Sequence, residues 1–435
     1  MAIAAPAAAT QLGLMLMGAV DTMMLGRFSA DAMAAGALGH TVSMSVIILA
    51  HGLLLAIDTL VSQAWGGGDR ARVRFHLQQG LMLAAVLTLP VALLLVRTEP
   101  LLEAFRQPAS IVGPTAAYIR TVTLGVPAFL MFVALRQGLQ AMDVVRPALG
   151  AILVGNVVNV VANWALIFGH LGMPRLGVVG SAWATTVSRG TMLLLLIVLA
   201  RRRLAPLRLT RDWKRPRFEE LRLFLRIGVP ISIHTGVEFW MITGVALMVG
   251  SLGAAALAGH QVALILAALA YMVSLGISGA AAARVGQAIG AGDMPRARVA
   301  CRVSLLLSVG VTSLSATLFV VAPEALSRAF TGDSEVIVVA STLLPIAALF
   351  QLFDGLQVVA TGALRGAADT RLPAVVAVLA YWVICLPLGY LLTFRAGLGA
   401  AGPWWGLAVG LGVTAVLLLW RTYRRFSGAV GSVFG

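Results

Sequence analysis

The chain has 435 residues, of which 60% are hydrophobic and only 11% are charged, and its net charge is +15. Ordinary soluble domains contain about 25% charged residues, so this composition, with a mean hydropathy of +0.94, excludes a soluble globular or disordered protein. Uninterrupted apolar runs of about 20 residues indicate transmembrane helices, whereas the strands of a membrane barrel alternate over about ten residues.

Twelve apolar runs follow one another and predict an all-α integral membrane protein with twelve transmembrane helices. No basic segment precedes the first run, so we expect a transmembrane helix there and not a cleaved signal. In chain order, the runs cover residues 1–25, 38–62, 76–97, 114–139, 148–169, 176–200, 224–250, 255–283, 300–321, 336–363, 373–394 and 399–420.

The basic residues lie in the loops between these runs and are concentrated in alternate loops. Ten of them fall between Arg201 and Arg226, and the same set of loops contains Arg70, Arg146 and Arg296. Cytoplasmic loops carry an excess of basic residues, so we expect this set, and with it both termini, to be cytoplasmic. The basic residues are not interleaved with aromatic ones, so no nucleic-acid partner is expected.

The second half of the chain repeats the first at an offset of about 224 residues. Ala64–Arg72 returns as Ala288–Arg298, and Leu176–Gly180 returns as Leu398–Gly402. Six predicted helices per half put both halves into the membrane from the same side, which predicts parallel repeats. The expected organisation is an amino-terminal lobe (1–200), a basic cytoplasmic linker (201–223), a carboxy-terminal lobe (224–420) and a cytoplasmic tail (421–435).

Acidic side chains inside the apolar runs are the first candidates for function. A charge at the centre of a membrane helix costs about 2.5–3.5 kcal/mol even by the lower estimates, yet Asp21, Glu238 and Asp354 lie there. Each of them is alternatively a structural carboxyl, held protonated or paired with an arginine such as Arg189. We expect Asp58, near the end of its run, to be a helix-end residue. The repeat favours function for the three central acids, because the equivalent positions in the other half are apolar: Val245, Leu14 and Leu130.

A polar stripe accompanies these acids in the fifth run. Asn156, Asn159 and Asn163 follow one another at i, i+3 and i+7, which puts them on one helix face. Two interpretations stay open: amides that hold helices together, or a polar wall opposite Asp21, with Thr185 or Thr186 on the next helix.

Buried carboxyls of this kind suit an ion-coupled transporter. A carboxyl can bind a proton, Na⁺ or an organic cation, and competition among them for one charge is sufficient for antiport. Soft and aromatic side chains near the acids suit flat lipophilic cations, although ordinary packing is the alternative for each. These candidate substrate-lining residues are Met24, Phe239, Trp240, Phe350 and Phe353.

Several stretches carry a family resemblance. They are Met17–Thr22, Gln63–Asp69, Arg284–Asp293, Asp354–Gln357 and Gly362–Gly366. Taken together, they make the chain resemble the multidrug and toxic compound extrusion (MATE) transporters, most closely their NorM-like bacterial branch.

The resemblance implies two six-helix lobes forming a V-shaped cleft in the bacterial inner membrane, and export of organic cations by alternating access in exchange for Na⁺ or H⁺. By position, Asp21 matches the acid of the amino-terminal lobe, and Glu238 and Asp354 match the cation pair of the carboxy-terminal lobe, a candidate Na⁺ site. The implied neighbours of Asp21 are Asn159, Asn163 and Thr185.

Three positions depart from relatives of this family. Asn163 stands where the DinF-like branch has an aspartate, which favours the NorM-like branch. Phe350 stands where some relatives have a tyrosine, and Ile242 provides no second acid one turn after Glu238. A Na⁺ site would therefore have fewer ligands, which leaves H⁺ coupling open.

The sequence favours an antiporter over three other classes. A flippase for lipid-linked precursors, the main alternative, calls for an arginine-lined cleft, and only Arg189 lies deep in a run. We found no catalytic cluster or phosphate-binding loop, so neither an enzyme nor a user of ATP is expected, and no cofactor beyond the coupling ion. A channel is the remaining alternative, and a single-channel recording that shows no conductance would exclude it. The expected partners are small organic cations and membrane lipid, with the chain acting as a monomer.

Overall fold

The computed structural model describes residues 3–104, 108–209, 218–428 and 431–434, and within these ranges the secondary structure is helical, without strands. Among the described residues, eleven helices are long and apolar enough to cross a membrane, and the count is twelve if one bent pair of helices forms a single span. The predicted all-α membrane fold is confirmed. Residues 210–217 of the predicted linker and 429–430 and 435 of the predicted tail lie outside the described ranges.

The helices of the amino half are α1 (Ala4–Phe28), α2 (Ala30–Leu54), α3 (Ala56–Gly66), α4 (Arg70–Val96), α5 (Glu99–Ala104), α6 (Ala109–Thr123), α7 (Val126–Ala141), α8 (Arg146–Phe168) and α9 (Val178–Leu204), followed by the 3₁₀ turn Ala205–Leu207.

Those of the carboxy half are α10 (Phe218–Gly250), α11 (Ala254–Gly290), α12 (Met294–Val321), α13 (Pro323–Arg328), α14 (Ser334–Gly366), α15 (Arg371–Val378), α16 (Leu386–Tyr390) and α17 (Ala401–Ser427), with π-helical stretches at Leu379–Cys385 and Leu391–Arg395.

Of the spans that hydropathy predicts as continuous, the second is interrupted at one residue and the fourth is bent. Leu55, itself in the αR conformation, separates α2 from α3 within the membrane-length segment Ala30–Gly66. In the fourth, α6 and α7 meet at an angle of 49°. Pro127 lies in the first turn of α7 and has no N–H to donate to the carbonyl of Thr123, so one helical hydrogen bond is missing at the bend.

The repeated turns have the same backbone conformation in both halves. Gly68 and Gly292 have positive φ angles of 76° and 71°, a region that glycine enters without a Cβ clash. Asp69 and Asp293 follow them, and each carboxylate accepts a 2.9 Å hydrogen bond from a backbone N–H in the first turn of the next helix. These aspartates are therefore helix caps.

The chain forms two compact units. One contains Met1–Ala8, Ser62–Gly68 and Arg226–Gly435, and the other contains Ala9–Val61 and Asp69–Leu225. In the first unit, the ends of α3 and α11 pack backbone to backbone. A Cβ on Gly66 would lie 2.6 Å from the carbonyl carbon of Gln287, and one on Gly290 would lie 2.7 Å from that of Gln63. Glycine at both positions permits this approach.

Candidate functional site

Asp21 lies in a fully formed hydrogen-bond cluster inside one unit. Its side chain is 6% exposed. Oδ1 accepts hydrogen bonds from the amides of Asn159 (3.0 Å) and Asn163 (2.6 Å), and Oδ2 accepts one from the hydroxyl of Thr185 (2.7 Å). All three donors are neutral. We call Asp21, Asn159, Asn163 and Thr185 the amino-lobe cluster.

The geometry of α8 explains which asparagines take part. Asn159 and Asn163 are one turn apart and fully buried, and the amide of Asn163 also donates to Oδ1 of Asn159 at 3.2 Å. Asn156 instead donates to the backbone carbonyls of Gly13 and Ile152, both at 2.9 Å. The stripe therefore divides between two roles: Asn156 joins helices, and the other two hold the carboxylate. Thr186, the alternative to Thr185, donates to the carbonyl of Thr121 at 3.2 Å.

Arg189, the candidate partner of a structural acid, forms no ion pair with Asp21 within 4 Å in the described part of the chain. Its guanidinium instead lies over the ring of Phe129, 4.8 Å from the centroid. It is close enough to Asp21 and Tyr118 to interact with both electrostatically. Asp21 is thus held by neutral hydrogen bonds, with a positive charge nearby.

Glu238 and Asp354 share a second cluster, inside the other unit. Both side chains are 8% exposed. The amide of Gln357 donates to Oδ1 of Asp354 at 3.1 Å and to Oε1 of Glu238 at 3.4 Å. The hydroxyl of Tyr271 donates to Oε1 of Glu238 at 3.4 Å. We call Glu238, Tyr271, Asp354 and Gln357 the carboxy-lobe cluster.

His234 and Arg365 adjoin the carboxy-lobe cluster. His234 precedes Glu238 by one turn of α10, and its Nε2 lies 3.9 Å from Oε2 of that residue. Its Nδ1 is 3.2 Å from the carbonyl oxygen of Pro373, which can only accept, so Nδ1 carries the hydrogen. Arg365 lies within electrostatic range of His234 and Tyr271. Carboxylate, amide and hydroxyl oxygens are suitable ligands for a hard monovalent cation.

The predicted substrate-lining residues have different surroundings. Met24 and Phe239 are half-buried, and Trp240 is 37% exposed. Phe350 is 6% exposed and packs against Trp404, with ring centroids 5.4 Å apart. Phe353 lines an apolar groove of about 450 Å³ between α14 and α17, together with Trp405 and Val409.

Asp58 is in the first turn of α3 and is completely buried. The first turn of a helix favours a carboxylate, because it lies at the positive end of the helix dipole. The sequence did not predict this burial, because hydropathy does not show which side of a span packs inside the protein.

Sequence reasoning missed three members of these surroundings. Gln357 follows Asp354 by three residues, and His234 precedes Glu238 by four, so helical spacing was an available signal for both. Tyr271 is 33 residues from Glu238 in sequence, and no local pattern indicates that the two meet.

Comparison with known proteins identifies the family. The MatE family model matches residues 6–165 and 230–391. The chain is 40% identical over 435 residues to the probable multidrug resistance protein NorM of Burkholderia pseudomallei, covering 99% of this chain and 92% of that protein. It is 33% identical to the multidrug resistance protein MdtK of Pectobacterium atrosepticum, covering 97% and 93% of the two chains.

Among solved structures, the eukaryotic MATE transporter AtDTX14 has the same fold, with a TM-score of 0.87, 22% identity and coverage of 97% of this chain and 94% of that chain. The family match and the extent of the identity to NorM proteins lead to one conclusion: this chain belongs to the MATE family, in its NorM-like bacterial branch.

Proposed function

We propose that this protein is a secondary antiporter that exports amphipathic organic cations across the bacterial inner membrane in exchange for Na⁺ or H⁺. The two six-helix lobes alternate in access to the two sides, and both termini are cytoplasmic. The orientation is supported by the basic residues of alternate loops, and the substrate class by the names of the relatives, which are multidrug resistance proteins.

The observation that carries the proposal is the sharing of Gln357 by two acids. One amide donates to both Glu238 and Asp354, so two buried carboxyls of like charge lie against one donor. A bound cation relieves their repulsion, whether it is a proton or Na⁺. Removing that cation restores the repulsion, and the cluster can therefore couple ion binding to a change of state.

The amino-lobe cluster is the proposed partner site for the organic cation. Asp21 accepts only from neutral donors, so its charge stays available to a positive ligand in the same lobe. The half-buried Met24 lies one turn away on α1 and adds a polarisable surface for a flat cation.

The test is transport of ethidium by purified protein in liposomes, with Na⁺ and pH gradients imposed separately. Transport driven by a pH gradient alone assigns H⁺, and transport driven by a Na⁺ gradient alone assigns Na⁺. Glu238→Gln and Asp354→Asn should abolish the response to the gradient. Glu324→Gln is a matched control, because this acid is exposed and forms an ion pair with Arg328 one turn later. Ethidium movement that persists without either gradient and in both cluster variants would refute the proposal.

A further inference from the structure

Arg189 is buried in a defined position beside the amino-lobe cluster. Its side chain is 4% exposed, and it follows Thr185 by one turn on the same face of α9. The guanidinium carbon lies 4.8 Å from the centroid of the Phe129 ring, a cation–π geometry. Nη1 is buried and has no hydrogen-bond partner among the residues that the structure describes.

The broken fourth span makes room for this side chain. Gly125 lies at the junction of α6 and α7, and a Cβ there would be 3.3 Å from Cδ of Arg189 and 3.1 Å from Cα of Thr186. The hydroxyl of Thr186 donates to the carbonyl of Thr121 at the end of α6. The junction therefore holds the backbone of α9 close, and the arginine stem lies beside the glycine.

The charge of Arg189 acts on Asp21 through space. Both oxygens of Asp21 are engaged by Asn159, Asn163 and Thr185, and none of these donors is charged. Among the described residues, the guanidinium interacts electrostatically with Asp21 on α1, Tyr118 on α6 and the exposed His40 on α2. Arg189 thus compensates the carboxylate charge without occupying its hydrogen-bonding positions.

We propose that Arg189 is an internal counter-cation that determines which substrate charges the Asp21 site accepts. This inference rests on the proposed binding of organic cations at Asp21. A ligand with one positive charge is attracted by Asp21 and repelled by Arg189, and both energies scale with the charge of the ligand. Because the arginine is fixed, the charges of Asp21 and Arg189 sum to zero before a ligand binds, so the first positive charge of the ligand makes the site positive and a second positive charge is repelled. The site therefore discriminates against doubly charged cations.

The size of the effect follows from Coulomb's law. At an effective dielectric constant of about 20 and a separation of about 10 Å, the repulsion between two unit charges corresponds to about tenfold in affinity. Removing the charge of Arg189 should raise the affinity for a singly charged ligand by about tenfold, and the affinity for a doubly charged ligand by up to about a hundredfold.

The experiment compares ethidium, with one positive charge, and propidium, which has the same ring system and two. Equilibrium binding to the purified protein is measured by dye fluorescence for the wild type, Arg189→Gln and Arg189→Lys. Arg189→Gln should bind both dyes more tightly, and propidium by the larger factor. Arg189→Lys keeps the charge and should retain the wild-type ratio of the two affinities.

The ratio of the two affinities separates an electrostatic role of Arg189 from a structural one. Damage to the fold would weaken the binding of both dyes equally, and it would do so in both variants. Equal factors for the two dyes in Arg189→Gln, unchanged affinities or weaker binding of propidium would overturn the inference. Failure of the wild type to bind either dye, or binding unchanged in Asp21→Asn, would instead contradict the proposed function.

Discussion

Gly290→Ala tests the close packing at the ends of α3 and α11. The added methyl group would lie 2.7 Å from the carbonyl carbon of Gln63 and 2.8 Å from its Cα. Optimal carbon contacts are about 3.5–4.0 Å, so the two backbones must separate by about 1 Å. Neither of the atoms met can rotate away, because both belong to the backbone.

Overpacking of this kind costs about 1–3 kcal/mol of stability. The amide of Gln63 also donates to the carbonyl of Gly366 at 2.9 Å, and the same displacement stretches that bond. Gly66→Ala should cost a similar amount, since its methyl group would lie 2.6 Å from the carbonyl carbon of Gln287. The double variant should cost less than the sum, because one separation of the helices accommodates both methyl groups.

The assay is thermal unfolding of the purified protein in detergent, followed by the loss of the monodisperse species. Gly290→Ala should lower the midpoint by a few degrees. Gly310→Ala is the matched control: this glycine lies within α12 with nothing within 4 Å of its Cβ position, so alanine should be neutral or stabilising by up to about 1 kcal/mol. A midpoint for Gly290→Ala that equals or exceeds that of Gly310→Ala would refute the reasoning.

Three further outcomes are expected at the two clusters. Asn163→Ala should weaken ethidium binding by about tenfold or more, because a hydrogen bond to a charged group contributes about 1.5–3 kcal/mol. Asn156→Ala leaves Asp21 untouched and should not weaken binding. Equal losses of affinity in both variants would contradict the role of Asn163. Gln357→Leu should reduce gradient-driven transport more than Tyr271→Phe does, because the hydroxyl of Tyr271 forms a single 3.4 Å hydrogen bond to Glu238. The reverse order in a liposome assay would argue against a role for the Gln357 amide that the two acids share. Phe350→Ala should lower stability by about 3–5 kcal/mol through loss of its packing while leaving ethidium affinity unchanged. A selective loss of affinity would contradict this and would support Phe350 as a substrate-lining residue.

Hydropathy and local motifs predicted the spans and the repeated turns well. A helix in the membrane must satisfy its own backbone, so apolar length alone locates the spans, and a glycine followed by aspartate marks the caps at Asp69 and Asp293. The interruption at Leu55 and the bend at Gly125 were not predicted, because hydropathy does not show which backbone carbonyls lose their hydrogen-bond partners.

Contacts across the fold were predictable only in part. The acids and the asparagine stripe were visible, since polar residues are conspicuous in an apolar sequence. Tyr271 on α11, which donates to Glu238, was not visible in this way, because a tyrosine in a membrane helix is compatible with an interfacial, core or site position. Helical spacing places His234 near Glu238 and Gln357 near Asp354, but only the packing of α10 against α14 shows that Gln357 also donates to Glu238.

The difference between the halves is a property of whole clusters and not of single residues. The three asparagines of α8 are the only asparagines in the chain, and two of them bind Asp21. The span at the corresponding position in the carboxy half, Arg371–Arg395, contains none, and the position equivalent to Asp21 is Val245, which is 1% exposed in an apolar core. A buried carboxyl without donors is strongly disfavoured, so an acid at that position and its amides must be present or absent together. The same reasoning holds in reverse for Asp354, whose equivalent Leu130 is fully buried. Transplanting one acid to the other half should therefore destabilise the protein unless its donors are transplanted with it.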